Sequence, residues 1–336
     1  YTAEDSLKSG QGYWIRFPAA KTEMVAGYPL NSLTIDMRAN WNLIAGGTAC
    51  NVAVNDVSDP GSIIISGTLF GFSGAYYLSD SIRQGEGYWL RTTSAGQIGL
   101  ACGAVASPQL AKRTGQLVDL SRFPAMEISD AGGAGQTLYF NVELPEGASK
   151  LSYSLPPLPP AGAFDVRFAG DYRISETDEA LINIQSSAYP VTISAENLPV
   201  DKHHQYVLTE TGTDKVHILK AGEAVQLTSP AVTSLRLSRK EIIPLEFAVQ
   251  QNYPNPFNPE TKIEYALPEN GPVDIIIYNT LGQKVRTLVS GYTEAGYHEV
   301  RWDGSNDMGN QAASGLYFYL VKAGKHQVTK KMLMLR

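Results

Sequence analysis

The closing part of the chain alternates apolar and polar residues with a period of two. Six stretches, 262–267, 273–278, 284–289, 297–302, 315–322 and 326–335, are therefore predicted strands, rich in β-branched and aromatic residues. Pro268-Glu269-Asn270-Gly271-Pro272 and Asn279-Thr280-Leu281-Gly282-Gln283 supply the reversals between them, and Ala323-Gly324-Lys325 turns a last hairpin. The spacing predicts a small β-sandwich of about seven short strands. Ahead of it, Gln251-Asn252-Tyr253-Pro254-Asn255-Pro256-Phe257-Asn258-Pro259 lacks a backbone donor at each proline and is held extended before each one. No helix or central strand passes through such a run, which reads as a boundary between domains.

Two further regions precede it. In the first, 32–36, 40–44, 62–65, 75–78 and 87–91 read as strands, punctuated by Gly46-Gly47, Asp59-Pro60-Gly61 and residues 71–74. In the second, 137–142, 163–168, 181–185, 191–195, 205–209, 215–219, 223–227 and 232–237 alternate as half-buried strands do. Leu155-Pro156-Pro157-Leu158-Pro159-Pro160 must be extended; a rigid connector is the favoured reading, ahead of a partner-recruiting loop. The fold class expected is all-β, tandem β-sandwich modules at 1–103, 104–243 and 244–336.

The first module carries a repeat. Asp5-Ser6-Leu7-Lys8-Ser9-Gly10-Gln11-Gly12-Tyr13-Trp14-Ile15-Arg16 matches Asp80-Ser81-Ile82-Arg83-Gln84-Gly85-Glu86-Gly87-Tyr88-Trp89-Leu90-Arg91, with seven of twelve positions identical. Tyr1 aligns with Tyr76, so the first copy is expected to be truncated and the chain to continue a longer precursor.

The C-terminal motifs also carry a resemblance. QNYPNPFNP at 251–259, IYNTLGQKVRTL at 277–288, AGYHEVRWDG at 295–304, ASGLYFYLVKAG at 313–324 and KKMLMLR at 330–336 together resemble the C-terminal sorting domain of type IX secretion substrates. That domain is an immunoglobulin-like module similar to the one in flagellar hook-cap proteins. The resemblance implies export to the outer cell surface or medium of a Bacteroidetes-type bacterium, with the type IX translocon as partner. The closing hairpin, with Lys330, Lys331 and Arg336, is the expected recognition surface. Residues 1–103 resemble a Gly-x-Gly-Tyr-Trp module found beside such domains in large surface proteins, which has no settled activity to carry over.

Composition changes little in this picture. With 31 Gly, 19 Pro and 18 Tyr against 18% charged residues, the chain is rich in turns and aromatic strands, as an all-β protein is. A net charge of -6 with no basic face argues against nucleic acid. No apolar run is long enough for a membrane-spanning helix. No nucleophile elbow, zinc-protease helix or kinase loop occurs, so no enzyme and no cofactor are expected.

Four residue sets merit weighing. Cys50 and Cys102, the only cysteines, would pair in an oxidising compartment; two buried thiols explain the sequence equally well. Asp303, Ser305 and Asp307 alternate as calcium ligands do, but Ser314 stands where a bidentate Glu belongs, so a polar loop is favoured. Adjacent His203 and His204 cannot share one metal from a strand. Tyr13, Trp14, Tyr88 and Trp89 are candidate exposed contacts for polysaccharide or for self-association, weighed against plain core packing, which is favoured. Three functions remain open: a structural or adhesive surface protein, the tail of a secreted hydrolase, and a carbohydrate-binding module. The first is favoured.

Overall fold

A computed structural model of the chain describes residues 8–14, 28, 30–47, 49–103, 117–199 and 201–335. It falls into two compact units, Tyr1–Pro199 with Tyr206–Arg239, and Val200–Gln205 with Lys240–Arg336. The described elements are antiparallel strands and three short 3-10 turns.

The first unit opens with the repeat module. Its main sheet runs in the order Asn40–Ala45, Gly87–Thr92, Phe70–Ser73, Ala75–Leu78. Beside it Ser32–Met37 pairs with Gly96–Ala101, and Val52–Ala53 pairs with Ser81–Ile82. Ile35, Ile44, Ile64, Tyr88, Leu90, Ile98 and Leu100 form the core between them. The first repeat copy is part of this sheet. Gly12 N–H donates to Leu43 O at 3.0 Å, and Ala45 N–H donates to Gly10 O at 3.2 Å, so the two copies flank Asn40–Ala45 on either side. Gly12 is required there: a Cβ would sit 2.7 Å from the Ile44 carbonyl oxygen.

Two strand expectations change. Residues 62–65 form only isolated bridges, because the Asp59 carboxylate accepts the Ile63 and Ile64 N–H groups, both at 2.9 Å, and holds that segment as a loop. The glycines at 71–74 do not break the chain: Phe70–Ser73 is a strand, and Gly71 leaves room for the Tyr77 ring.

Cys50 and Cys102 are joined as a disulfide with Cα atoms 5.8 Å apart. The bridge closes a loop across a sequence separation of 52, worth about 4 kcal/mol in the chain-entropy account. Denatured, unreduced protein should therefore show no free thiol, and reduction should lower the first unit's melting temperature; two titratable thiols would contradict the pairing.

The middle region is a sandwich. One sheet runs Gly135–Tyr139, Ala125–Ser129, Val191–Glu196, Ala224–Leu227; the other runs Asp165–Phe168, Ala180–Gln185, Ser234–Glu241, His204–Glu210, Val216–Leu219. Their facing rows, including Met126, Leu138, Val166, Ile182, Ile193, Leu208 and Leu235, make one core. Ala75 of the repeat module belongs to that same core, and Phe164 N–H donates to Gly74 O at 3.2 Å. The division drawn at residue 103 thus does not separate two compact units.

The proline stretch is what ties the repeat module to this sandwich. Leu155 is buried against Phe70 and Tyr76, with Trp14, Trp41, Phe72 and Trp89 packed around them. The Tyr76 hydroxyl donates to Pro157 O at 2.8 Å, and Arg167 donates to Pro156 O at 2.8 Å. Having no N–H, each proline offers only its carbonyl, and two of these are taken from opposite sides.

Candidate functional site

The second unit pairs a three-stranded sheet, Ala248–Val249, Thr261–Leu267, Gly296–Trp302, with a four-stranded one, Lys284–Thr293, Gly271–Asn279, Gly315–Ala323, His326–Met334. Ile263, Ile275, Ile277, Trp302, Tyr319, Val321, Met332 and Met334 are fully buried between them. The chain returns to this unit at Lys240, so the proline run at 251–259 lies inside it and is no boundary.

Gln251, Asn252, Pro254, Asn255 and Phe257 of that run each make a specific contact within the unit. Asn252 is buried; its N–H donates to the Tyr319 hydroxyl at 3.0 Å, which itself donates to Gln250 O at 2.8 Å. Burial pushes the Tyr319 phenol up to about 12. Asn252 Nδ2 donates to Thr261 Oγ1 at 2.9 Å and to Pro254 O at 3.1 Å, and Thr261 Oγ1 donates to the same carbonyl at 2.8 Å. Phe257 is buried with its ring 5.5 Å from that of Trp302.

The run also covers the edge of the closing strand. Asn255 Oδ1 accepts Leu333 N–H at 3.0 Å, Phe257 N–H donates to Leu333 O at 3.0 Å, and Leu335 N–H donates to Phe257 O at 2.9 Å. Gln251 Nε2 donates to Lys331 O at 2.8 Å. An exposed strand edge invites foreign pairing, and here the first motif of the unit closes the last. By strand alternation Gln327 and Thr329 present their backbone groups on that same edge, beyond the reach of the run.

The opposite edge is covered similarly. The Asp307 N–H donates to Val285 O at 3.0 Å, and Thr287 N–H donates to Asp307 Oδ1 at 2.9 Å. Asp303 Oδ1 accepts from Ser305 Oγ at 2.6 Å, Ser305 N at 3.0 Å and Arg286 at 3.1 Å; Lys284 lies 3.0 Å from Asp307. Arg286 also donates to Ser305 Oγ. The oxygens of Asp303, Ser305 and Asp307 are thus engaged by the chain's own donors and cations, the arrangement of a polar loop. The Ser305 hydroxyl holds the Asp303 carboxyl below its ordinary range, and the Thr287 N–H does the same for Asp307. A depressed carboxyl stabilises the fold above its unfolded pKa and loses that contribution as pH falls through the folded value. Thr287 amide protection should therefore drop below about pH 4, after correction for intrinsic exchange. Protection unchanged down to pH 2 would contradict the contact.

The other sequence candidates are placed as follows. Lys330 is half-buried on the face shared with Val328 and Met332, Lys331 is exposed, and Arg336 lies outside the described residues. Tyr88 is not an exposed contact: it is buried, its hydroxyl donates to Glu86 at 2.7 Å, and burial pushes its pKa to about 12. Trp14 and Trp89 are half-buried in the aromatic cluster around Leu155, Trp14 lying edge-on to Phe72 at 4.8 Å. Tyr13 is half-buried and donates to Gln11 at 3.0 Å. The Trp14 and Trp89 rings thus pack with Leu155 of the chain's own proline stretch, and in Gly87–Thr92 strand alternation sends Tyr88 to the module core and Trp89 to that cluster.

Residues 258–327 match the FlgD Ig-like domain. The match takes in five of the unit's seven strands and the first two residues of the closing one; it begins inside the proline run, so the cover formed by 251–257 lies before it. Among solved structures, the chain is similar at 13% identity to dimeric latent PorU from Porphyromonas gingivalis, over 47% of this chain and 18% of that one, with a TM-score of 0.23. It is similar at 16% identity to PorZ, a surface component of the type IX secretion system of the same bacterium, over 47% of this chain and 21% of that one, with a TM-score of 0.21. The chain thus spans about a fifth of the length of either protein. No curated protein matches it.

Proposed function

We propose that the chain is a protein exported by type IX secretion to the cell surface or medium, with its second unit as the export address and the first as structural or adhesive cargo. The observation that carries this reading is the joining of QNYPNPFNP at 251–259 to KKMLMLR at 330–336. These are the first and last of the motifs that resemble a sorting domain, and they are bonded edge to edge within one Ig-like unit. The disulfide in the cargo suits an oxidising compartment.

The translocon contact is assigned to the uncovered part of the closing strand, Gln327 and Thr329, with Lys331 on its exposed face. Deleting 330–336 would remove the buried Met332 and Met334 and so confound export with folding. Thr329→Pro is the cleaner probe, because that N–H points away from Gly315–Ala323 and its loss spares the sheet. In a host with type IX secretion, the full chain should reach the medium or surface, while Thr329→Pro and a chain ending at Arg239 should stay in the periplasm. Normal export of Thr329→Pro would remove the edge from the account, and export of the chain ending at Arg239 would overturn it.

A further inference from the structure

The first unit holds a cleft of about 450 Å³ that none of the features above uses. It lies between the aromatic cluster of the repeat module and the outward face of the Ala125–Ser129 sheet, where Glu127, Ser129, Thr137, Tyr139 and Ser194 line it. Arg173 lines it as well.

The surroundings of Arg173 are unusual for a cation. Its guanidinium lies over the Tyr153 ring at 5.4 Å, and its Nε is buried without a hydrogen-bond partner. Among the described residues no carboxylate pairs with it and nothing accepts from its side chain. Burial draws its pKa below the usual guanidinium range, opposed only by Tyr139 and Tyr153.

Arg167, in the same module, shows the usual solution. It is buried but fully met by Asp165 at 2.6 Å on two nitrogens, by Asp171 at 3.0 Å and by Pro156 O at 2.8 Å. A half-buried guanidinium whose Nε has lost water without gaining a partner is left short of an acceptor, and a ligand carboxylate, which a guanidinium holds in bidentate fashion, would supply one.

The rest of the lining narrows the ligand. Glu127 is acceptor-only when ionised and lies outside ion-pair distance of Arg173, so a compact inorganic dianion would meet its charge with nothing to donate. A molecule with a carboxylate at one end and hydroxyls at the other satisfies both. Ser129, Thr137 and Ser194 add hydroxyl partners, and Tyr139 adds an aromatic side chain to the lining. The cleft volume is that of a small-ligand site.

We propose that this cleft binds a uronic-acid residue of an acidic polysaccharide, with its carboxylate on Arg173 and its hydroxyls on Glu127, Thr137 and Ser194. The site is independent of the export reading and would serve a surface protein that meets cell-wall or mucosal glycans.

The test is calorimetric titration of the full chain with trigalacturonate, oligomannuronate, neutral galactotriose and sodium sulfate. At least one uronate should bind about tenfold more tightly than the neutral sugar, and Arg173→Gln should lower that affinity by about tenfold, with Arg173→Lys between. Ser194→Trp, which fills the cleft and leaves Arg173 in place, should abolish binding with an unchanged far-ultraviolet spectrum. If Arg173→Gln fails to fold, Ser194→Trp alone decides. Binding of neither uronate, equal binding of the neutral sugar, displacement by equimolar sulfate, or binding that survives Ser194→Trp would each overturn the assignment.

Discussion

Phe257→Ala should be among the most damaging single changes in the second unit, lowering its stability by about 3–5 kcal/mol. The ring is buried against Trp302, while its own backbone holds Leu333 and Leu335. Truncation therefore leaves a cavity at one end of the sandwich and loosens the segment covering the closing strand. For a unit of this size the melting temperature should fall by roughly 20 °C. The first unit's transition should stay where it is. Calorimetry on the full chain separates the two outcomes: a drop confined to the second unit's transition fits the assignment of this residue, and a shift below about 1 kcal/mol contradicts it.

Arg167→Met should have an effect of similar size in the first unit, about 3–5 kcal/mol, by a different route. Arg167 and Asp165 are each 1% exposed and joined through two contacts of 2.6 Å. Removing the cation strands a carboxylate whose pKa burial already pushes up, against the pull of Arg167. It also frees Pro156 O, loosening the proline stretch that carries Leu155 into the aromatic cluster. The double variant Asp165→Leu with Arg167→Met should recover much of the loss, since an apolar pair of similar volume leaves no buried charge behind. A double variant as unstable as the single one would show that the pair matters for the loop it anchors and not for its charge balance.

The sequence reveals the second unit more fully than the first, for a physical reason. A strand with one face in the core writes a period of two. Val273, Ile275 and Ile277 are buried in register while the residues between them are not, and the hairpin loops carry their own turn chemistry. Asp165–Phe168 breaks that rule because all four of its residues are buried, so Asp165 and Arg167 look like a solvated face when only alternation is read. Gly96–Ala101 and Phe70–Ser73 are glycine-containing strands; Phe70–Ser73 resembles a turn until the Tyr77 ring is seen to need the space at Gly71, and the glycines of Gly96–Ala101 lie against the Ile63 and Ser58 side chains.

The proline run illustrates a further limit. Missing donors announce that no central strand passes, which is correct, yet they do not reveal that the remaining carbonyls and asparagine amides will cover the edge of a strand that begins some seventy residues later. The aromatic pairs were similarly ambiguous: a ring facing away from its own core can meet solvent or a neighbouring segment, and Trp14 and Trp89 meet Leu155 and its surroundings. For Arg173 no signal existed, since a lone arginine between Tyr172 and Ile174 matters only through what fails to surround it.

On the proposed reading, 240–336 is a self-sufficient export address in which 251–259 and the closing strand work as one piece. Fusing 240–336 to a periplasmic reporter in a host with type IX secretion tests it most directly. The reporter should be carried across the outer membrane, and the same fusion begun at residue 260, which lacks the covering run, should stay behind. Retention of the longer fusion in the periplasm while folded, or equal export of the shorter one, would contradict the claim.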